Sequence, residues 1–512
     1  MNLPVSPEGP PPHVGHGLIK RALVAGLTIM LLAAGAVSAA GFLEARSILD
    51  DIKPLPGRVA IDIPEIDRAD AGEAQTLMIL GSDARYGDKK AGFKPRSDTI
   101  ILVRLDPDKE ATAVMSIPRD LKVEIPGYGS DKINAAYELG GARLTVKTVK
   151  KLLARPGQPF SINHVVNVNF GGFRRAINYV GGVYVDIDRD YFNDNSGGEA
   201  FAAIDVNPGY QKLKGQDALD YVRYRHGDND LVRGARQQDF LRQLRNQAGV
   251  RALLTFSKRR TLAKLFRRYA DADKGLQNTK QVFSLLKLVL FTSKKPVREV
   301  RFNIDLNDDQ VYLSASKEKL NRTVREFLSA RASSKPRQTA KPTAADRRSA
   351  RKGRKRNRSA AIPGLEIAKR EGEDQAIVGE RRARFPFYFP TLRYQGSRYA
   401  GTQPRTYGIR DEKGKLHRAY RLVISKSLVG EYYGVQGMTW RAPPILDDPS
   451  ETRRCTSGPK RKLELHFDGR RLRLVAWRTP KAVYWVSNTL TQSLSTPQML
   501  GIACSLRRLG QK

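Results

Sequence analysis

Charged side chains stand directly beside three apolar segments in the first half of the chain. Asp83 follows LMILGS, Arg96 and Asp98 precede TIILV, and Arg119 and Asp120 end AVMSIP. Segments of this length and character predict buried strands, and the loops beyond strand ends are where α/β sheets bind ligands. Any one of these residues alone is more typical of a solvated charge, a turn or a helix cap. The prediction of a site therefore rests on the whole pattern.

A second group of polar residues follows between positions 223 and 237. It comprises Arg223, Arg225, Arg233, Arg236 and Gln237. In an extended chain Arg223 and Arg225 share a face, and in a helix Arg233 and Gln237 share one at i, i+4. Guanidinium groups pair bidentately with phosphate oxygens, and carboxylates hold Mg²⁺ ions that bridge phosphates. Together with the carboxylates at the strand ends, these arginines predict a diphosphate site.

The composition of the chain limits the classes of partner and of active site that it can have. The 512 residues include 90 Lys or Arg and 52 Asp or Glu, a net charge of +38, which implies anionic partners such as nucleic acid, acidic lipid or polyanionic glycan. The 2 cysteines exclude a disulfide framework and a Cys-rich zinc module. The sequence also lacks H-x-x-x-H, H-E-x-x-H, P-loop and G-x-S-x-G patterns, which argues against zinc hydrolases, P-loop NTPases and serine hydrolases. His226 is the one histidine beside the arginines, and a rim position is a plainer interpretation than proton transfer.

Positions 22–43 form an uncharged apolar segment of 22 residues, ALVAGLTIMLLAAGAVSAAGFL. A helix needs about 20 residues to cross the hydrocarbon core, so the segment predicts a transmembrane helix. Because the basic flank Lys20 and Arg21 should stay in the cytoplasm, we expect a single-pass type II protein of the cell membrane, with residues 1–21 as a cytoplasmic tail and the bulk of the chain outside. A cleaved signal peptide is the alternative, although the apolar run is long for one. With the domains outside the cell, we expect no nucleic-acid partner.

The rest of the chain divides by composition into four parts. Residues 44–71, with PLPGR and DIPEID, are predicted to be a stalk. Residues 72–330 alternate strand and helix patterns, which indicates an α/β or α+β domain. Residues 331–361 are rich in Lys and Arg and typical of a disordered basic linker, which either is a spacer or binds anionic lipid or glycan. Residues 362–512 show period-2 runs such as KLELHFDG and RLRLVAW and predict a separate β-rich α+β domain.

Six motifs between Gln75 and Ala330 carry a resemblance to a known family. In order they are GSDARYG, RSDTIILVRLDP, SIPRDLKVEIPG, DKINAAYELGG, INYVGGVYVDID and LKGQDALDYVRYRHGDNDLVRGARQQDFL. The chain resembles the LytR-CpsA-Psr family of bacterial cell-envelope phosphotransferases. The resemblance implies an α/β domain with a mixed sheet flanked by helices, an arginine-rich pocket for the diphosphate of a polyprenyl-linked glycan, and an apolar tunnel for the lipid. It also implies transfer of the glycan phosphate to a peptidoglycan hydroxyl, which leaves polyprenyl phosphate.

Single residues take expected roles from the same motifs. Asp83 and Asp98 match the ligands of Mg²⁺, for which Mn²⁺ is an alternative. The resemblance, with the arginines above, implies a diphosphate-binding set of Arg85, Arg96, Arg119, Arg223, Arg225, Arg233, Arg236 and Gln237. The expected catalytic group is Asp83, Asp98, Arg119 and Asp120. The general base stays open between Asp98 and Asp120.

Some members of these sets are expected to act indirectly. Arg85 and Arg96 are expected at the rim of the pocket. Asp120, Asp230 and Arg236 are expected to orient their neighbours. A transfer between phosphates of this kind needs positioning and charge neutralisation more than covalent chemistry, so no covalent enzyme intermediate is expected.

The C-terminal domain departs from the family pattern, because the small VLNGT-type module that often follows the catalytic domain is missing. Its last segment, LVAWRTPKAVYWVSNTLTQSLSTPQMLGIACSL, resembles the tail of LolA-like curved-sheet domains, in which strands and a helix close an apolar groove. Trp440, Trp477 and Trp485 are nevertheless more typical of a core than of a ligand platform. Cys455 and Cys504 are predicted either to pair or to remain thiols.

Three functions compete at this point. The first is the envelope glycopolymer transferase. The second is a non-enzymatic anchor that binds polyanionic glycan through the same arginines. The third is a membrane-tethered transcriptional regulator, which rests on charge alone and requires the basic domains to be cytoplasmic.

Overall fold

The computed structural model describes residues 61–70, 72–82, 95–109, 111–194, 196, 203–224, 230–247, 270–277, 285, 288, 297–305, 312–331, 362–426, 431–455, 458–468 and 471–510. The predicted transmembrane segment at 22–43 lies outside these ranges, as do the cytoplasmic tail and nearly all of the basic linker. Within the ranges, no helix combines the length and the apolar character that crossing a membrane requires.

The first domain is built on a six-stranded mixed sheet. The described strands of the whole domain, six of which form this sheet, are β1 (Gln75–Ser82), β2 (Ser97–Asp106), β3 (Ala111–Ile117), β4 (Lys122–Ile125), β5 (Gly129–Lys132), β6 (His164–Asn169), β7 (Val183–Ile187), β8 (Tyr191–Asn193), β9 (Ile204–Val206), β10 (Gly209–Leu213), β11 (Ala270–Ala272) and β12 (Val297–Val300). The sheet has the order β11-β6-β1-β2-β3-β12. β6, β1, β3 and β12 run in one direction, and β2 and β11 are antiparallel to their neighbours. The predicted mixed sheet is therefore present.

Helices cover both the sheet and a smaller layer beside it. The described helices of this domain are α1 (Ala135–Leu153), α2 (Phe170–Tyr179), α3 (Gly215–Arg223), α4 (Asp230–Arg245) and α5 (Lys317–Leu328). β3 is buried at every position because α4 and α5 both contact it. Apolar residues of the sheet such as Met78, Leu102 and Met115 pack with Val146 and Val149 of α1 in one core. A second core joins α3 to the antiparallel pair of β7 and β10.

A kink in α1 separates a short segment near the site from the part that packs in the core. Gly140 and Gly141 have non-helical backbone angles, and Gly141 has a φ of 62° and a ψ of −157°. A side chain strains this backbone conformation, so glycine is required at position 141. The kink lets Glu138 face the start of β2 while Val146 and Val149 pack in the core.

The second domain is β-rich, as predicted. Its strands are β13 (Leu365–Ile367), β14 (Phe389–Pro390), β15 (Leu392–Tyr394), β16 (Arg398–Tyr399), β17 (Arg405–Arg410), β18 (Leu416–Ser425), β19 (Tyr432–Met438), β20 (Glu451–Arg454), β21 (Lys462–Asp468), β22 (Arg471–Arg478), β23 (Val483–Ser487) and β24 (Leu506–Arg507), and its helices are α6 (Lys369–Ala383) and α7 (Thr496–Ser505). The main sheet is antiparallel in the order β16-β18-β19-β23-β22-β21-β20, and β17 also pairs with β18. α6 and α7 pack on one face of it.

Alternation along the strands gives this sheet two buried faces. Tyr420, Val435 and Val486 lie on the face that α6 and α7 cover. Cys455 and Cys504 form a disulfide with a Cα separation of 5.6 Å, which ties the end of β20 to α7. The three tryptophans are buried, in agreement with the interpretation of them as core residues.

The other face of the sheet packs against the first domain. Tyr184 of β7 and Tyr210 of β10 form one apolar cluster with Trp440 and Trp485. The ring centroids are 5.1 Å apart for Tyr184 and Trp440 and 5.7 Å apart for Tyr210 and Trp485. The C-terminal domain thus has a core of its own, and a second core holds it to the first domain.

Candidate functional site

The predicted site residues gather at one edge of the first sheet. β1, β3 and β6 run in the same direction, so their carboxyl ends meet there, and Ser82 of β1 pairs with both Ser97 and Asn169. The register of β1 and β2 shifts between Gly81 and Ser82, which makes Asp98 the extra residue on β2. Bulges of this kind re-aim a side chain next to a functional site. The bulge therefore sets Asp98 apart from the ladder at the edge where ligands bind in α/β sheets.

Arg119 is the centre of an ion-paired group at this edge. Its Nη1 donates to Asp98 Oδ1 at 2.5 Å, and its Nε donates to Asp120 Oδ2 at 3.3 Å. Lys132 Nζ lies 3.0 Å from the other oxygen of Asp120. The Arg119 side chain is only 8% exposed, whereas that of Asp98 is 36% exposed. The two carboxylates fix the orientation of the guanidinium, and Asp98 remains open to solvent.

Gln237 joins α4 to two other elements of the site. Its Nε2 donates to Thr99 Oγ1 at 3.1 Å and to Val222 O at 3.3 Å. Thr99 follows Asp98 on β2, and Val222 precedes Arg223 at the end of α3. This buried amide therefore brings the carboxylate group of the sheet next to Arg223 at the end of α3.

Arg223 and Arg233 flank this junction. The guanidinium of Arg223 lies 4.9 Å from the ring centroid of Phe170. Phe170 is the first residue of α2 and directly follows β6, and the preceding Asn169 caps the helix by accepting from Gly172 N at 2.8 Å. Arg233 is buried in the first turns of α4. The structure thus brings Arg119, Arg223 and Gln237 to one edge, and Arg233 lies one turn before Gln237 on α4.

Arg236 has a different environment. It is fully buried, and its Nη2 donates to Tyr224 O at 2.6 Å. The rings of Tyr191, Tyr221 and Tyr224 surround its guanidinium at 4.7 to 5.8 Å. These contacts place Arg236 where it fixes the chain around Tyr224, and they favour the expected orienting role over contact with phosphate.

Other predicted residues lie at the margin or outside the described part of the chain. Arg96 is 57% exposed and donates from Nε to Glu138 Oε2 at 2.5 Å, as a rim residue would. Asp230 begins α4, but its side chain is not among those described. Asp83, Arg85, Arg225 and His226 all lie outside the described residues.

The carboxylates at this edge of the sheet are the candidate ligands of Mg²⁺. Among the described residues, no group of three or more His, Cys, Asp or Glu converges on a metal position. Mg²⁺ in phosphate sites is usually held by one or two carboxylates, with substrate oxygens and waters as the other ligands. The partly exposed Asp98, on the bulge beside Ser82, is one carboxylate of this kind.

Some residues of the site were not identified in the sequence. Lys132 pairs with Asp120 and holds its carboxylate in place. It belongs to the motif DKINAAYELGG, which indicates a site only through the family resemblance. Thr99 and Phe170 were hidden within apolar runs, where their types indicate burial rather than a site. Their roles follow from the register of β1 with β2 and from the parallel pairing of β1 with β6.

Comparison with known proteins gives the same family as the motifs. The model of the LytR_cpsA_psr family matches residues 51–327. The chain is 34% identical over 221 residues to the polyisoprenyl-teichoic acid–peptidoglycan teichoic acid transferase TagT of Bacillus subtilis. The matched segment covers 43% of this chain and 67% of the relative. It is also 34% identical over 228 residues to the transferase TagU of Bacillus cereus, and this match covers 44% of this chain and 67% of the relative.

Among solved structures, TagT bound to LIIa-WTA is 27% identical with a TM-score of 0.40, and the match covers 54% of this chain and 96% of that one. The names of the relatives confirm the prediction that the chain is an enzyme of the phosphotransferase type. By the extent of the family match, the chain belongs to the LytR_cpsA_psr family.

Proposed function

We propose that the chain is a membrane-anchored, extracytoplasmic transferase that moves a glycopolymer phosphate from a polyprenyl-diphosphate carrier to a hydroxyl of peptidoglycan. The observation that carries the proposal is the arrangement of Arg119 between Asp98 and Asp120, beside the junction that Gln237 makes with α3. The relatives named as polyisoprenyl-teichoic acid–peptidoglycan transferases support the same substrate classes.

In the proposed reaction, the acceptor oxygen attacks the phosphorus that carries the glycan. A new P–O bond forms, the bond to the bridging oxygen of the diphosphate breaks, and polyprenyl phosphate leaves. The leaving phosphate gains negative charge, which Arg119 and Arg223 would neutralise without reorganisation because other groups already hold both side chains in place. Positioning and electrostatics are the main needs of phosphoryl transfer.

The carboxylates would divide two tasks. Asp120 pairs with both Lys132 and Arg119, so its task would be to orient Arg119. The acceptor hydroxyl would give its proton to Asp98 or Asp120, of which Asp98 is the more accessible. Asp83 and Asp98 would hold Mg²⁺ or Mn²⁺, which supplies further positive charge to the phosphate oxygens when bound.

The remaining parts of the proposal rest on the sequence. The apolar segment at 22–43 would anchor the enzyme at the surface where its lipid substrate is confined. The basic linker at 331–361 would contact anionic lipid or glycan nearby, where each cation contributes on the order of 1 kcal/mol.

The test is release of polyprenyl phosphate from a lipid diphosphate by the purified chain, with and without Mg²⁺. We expect Arg119→Ala to lower turnover by at least about a hundredfold, the size of effect seen when one fixed donor is removed from a charge-stabilising site. Arg143→Ala is the matched control, because Arg143 is 57% exposed and pairs with Glu65 away from the site. Equal turnover in both variants would contradict the proposal.

The same assay separates the enzyme from a non-enzymatic anchor. An anchor would use the arginines but not the carboxylates. If the chain is an enzyme, Asp98→Asn should abolish turnover. Binding without any turnover in the wild-type chain would instead support the anchor.

A further inference from the structure

Two arginines and three tyrosines form a cluster where the two domains meet. We call Arg189, Tyr191, Tyr224, Arg236 and Tyr432 the tyrosine–arginine cluster. The guanidinium of Arg189 lies 4.7 Å from the ring of Tyr191, 5.2 Å from that of Tyr224 and 5.3 Å from that of Tyr432. Arg236 faces the rings of Tyr191 and Tyr224 at 4.7 and 5.7 Å. Four members come from the catalytic domain, and Tyr432 comes from the C-terminal domain.

The docking of the second domain determines the place of Tyr432. It is the first residue of β19, and the alternation of a strand puts it on the same face as Gln436 and Met438. Gln436 Oε1 accepts from Tyr210 N at 3.3 Å, and Met438 belongs to the core between the domains. The strand is thus fixed against the catalytic domain, and its first side chain reaches Arg189.

The cluster holds the end of α3, where Arg223, one of the predicted phosphate-binding arginines, lies. Tyr224 lies between Arg223 and Arg225 in the sequence. Its carbonyl accepts from Arg236 at 2.6 Å, and its ring contacts both guanidiniums of the cluster. The rings of Tyr191 and Tyr224 also pack edge to face, with centroids 5.0 Å apart. Tyr224 therefore cannot shift without disturbing the cluster.

We propose that Tyr432 is a positioning residue for the active site, through which the C-terminal domain helps to fix Arg223 for the diphosphate. The inference rests on the proposed function. A cation facing aromatic rings is held more strongly when the site is desolvated, and Tyr432 supplies one of the three rings around Arg189. Because small displacements of binding groups cost much of their effect, loss of this ring weakens binding of the substrate.

The experiment compares variants of the full-length purified chain with octaprenyl diphosphate as the probe. Tyr432→Leu removes the ring, whereas Tyr432→Phe keeps it and removes only the hydroxyl. We expect Tyr432→Leu to raise the Kd about tenfold, which corresponds to 1.4 kcal/mol. Tyr432→Phe should bind within about twofold of the wild type because the ring carries the interaction.

A matched control separates positioning from general stability. Tyr407 also crosses the domain boundary, where its hydroxyl donates to Tyr210 O at 3.0 Å and its ring lies 4.3 Å from Arg405, but it is not part of the tyrosine–arginine cluster. Tyr407→Leu should lower the Tm and leave the Kd for octaprenyl diphosphate within about twofold of the wild type. If both leucine variants raise the Kd equally, Tyr432 contributes only to docking and the inference is wrong.

A double-mutant cycle tests the contact itself. Arg189→Met removes the cation from the catalytic side, and it also serves if Tyr432→Leu fails to fold. The two changes should be non-additive, because each removes the same interaction. Additive effects, or unchanged binding in a folded Tyr432→Leu variant, overturn the inference alone. A wild-type chain that does not bind octaprenyl diphosphate overturns the proposed function and this inference with it.

Discussion

Arg421 is the buried cation through which the C-terminal sheet holds the catalytic domain. Its side chain is 0% exposed, and its Nη1 donates to Asp186 Oδ1 at 3.1 Å and to Ser487 Oγ at 2.7 Å. Trp485 Nε1 donates to the other oxygen of Asp186 at 3.1 Å. We predict that Arg421→Met destabilises the whole chain, because it leaves the Asp186 carboxylate buried without its cation.

The magnitude follows from the burial of both partners. Removal of one partner of a buried ion pair costs about 3 to 5 kcal/mol. Asp186 keeps its bond from Trp485, so we expect a loss of about 3 kcal/mol in the free energy of unfolding, the lower end of that range. The double variant Asp186→Leu with Arg421→Met should lose less than the single one, because no buried charge is left unpaired.

Urea denaturation followed by tryptophan fluorescence is a suitable assay. Of the 3 tryptophans in the chain, Trp440 and Trp485 lie in the cluster between the domains. Their emission therefore reports separation of the domains as well as unfolding. A loss below about 1 kcal/mol in Arg421→Met, in the range of exposed ion pairs, would refute the reasoning. So would a double variant less stable than the single one.

Three further predictions concern other parts of the chain. The disulfide closes a loop with a sequence separation of 49, for which chain entropy gives about 4 kcal/mol, so the double variant Cys455→Ala with Cys504→Ala should lose about that much in the free energy of unfolding. Unchanged stability of that variant in urea would contradict the estimate. Burial, with the positive charges of Arg473 and Arg478 nearby, lowers the pKa of His466 to about 3. The neutral side chain therefore contributes fully to the free energy of unfolding above pH 6.5, and this contribution is lost as the pH falls towards 3. At pH 5 the wild type should have lost about 2 kcal/mol relative to pH 7.5, and urea titrations of His466→Leu should show no such loss. Gln237→Glu cannot donate to Val222 O and adds negative charge beside the arginines, so it should weaken binding of octaprenyl diphosphate at least about tenfold; unchanged binding would count against the site.

Much of the site follows from local sequence. Asp98, Arg119 and Asp120 flank apolar strands, and the ends of neighbouring strands must meet at the edge of a sheet. The i, i+4 spacing of Arg233 and Gln237 places both on α4, and the structure buries both. The periodicity of residue types is sufficient for these features because each depends on one element or on two adjacent ones.

Other features depend on contacts that no local pattern encodes. The bulge that makes Asp98 the extra residue arises from the pairing of β1 with β2, not from a turn signal in either strand. The docking of the second domain uses pairs far apart in the sequence, such as Asp186 with Trp485 at a separation of 299 positions. A tryptophan in a β-strand predicts burial but not its partner. The sequence therefore predicts a separate domain, and it does not predict the contact of this domain with the first one.

The helix α4 connects these two levels of the structure. At its middle, Gln237 bonds to the elements that carry Asp98 and Arg223. Near its end, Gln243 Oε1 accepts from Asp186 N at 3.0 Å, and Asp186 is the residue that Arg421 holds.

Since a helix is rigid over this length, a displacement of its C-terminal end moves Gln237 as well. The C-terminal domain thus supports the site from two directions, through Asp186 at the far end of α4 and through Tyr432, whose ring faces Arg189 beside Tyr224. Buried cations cost free energy to desolvate, and this arrangement gives a reason for their retention at the boundary, namely that they fix the charged groups of the site before substrate arrives.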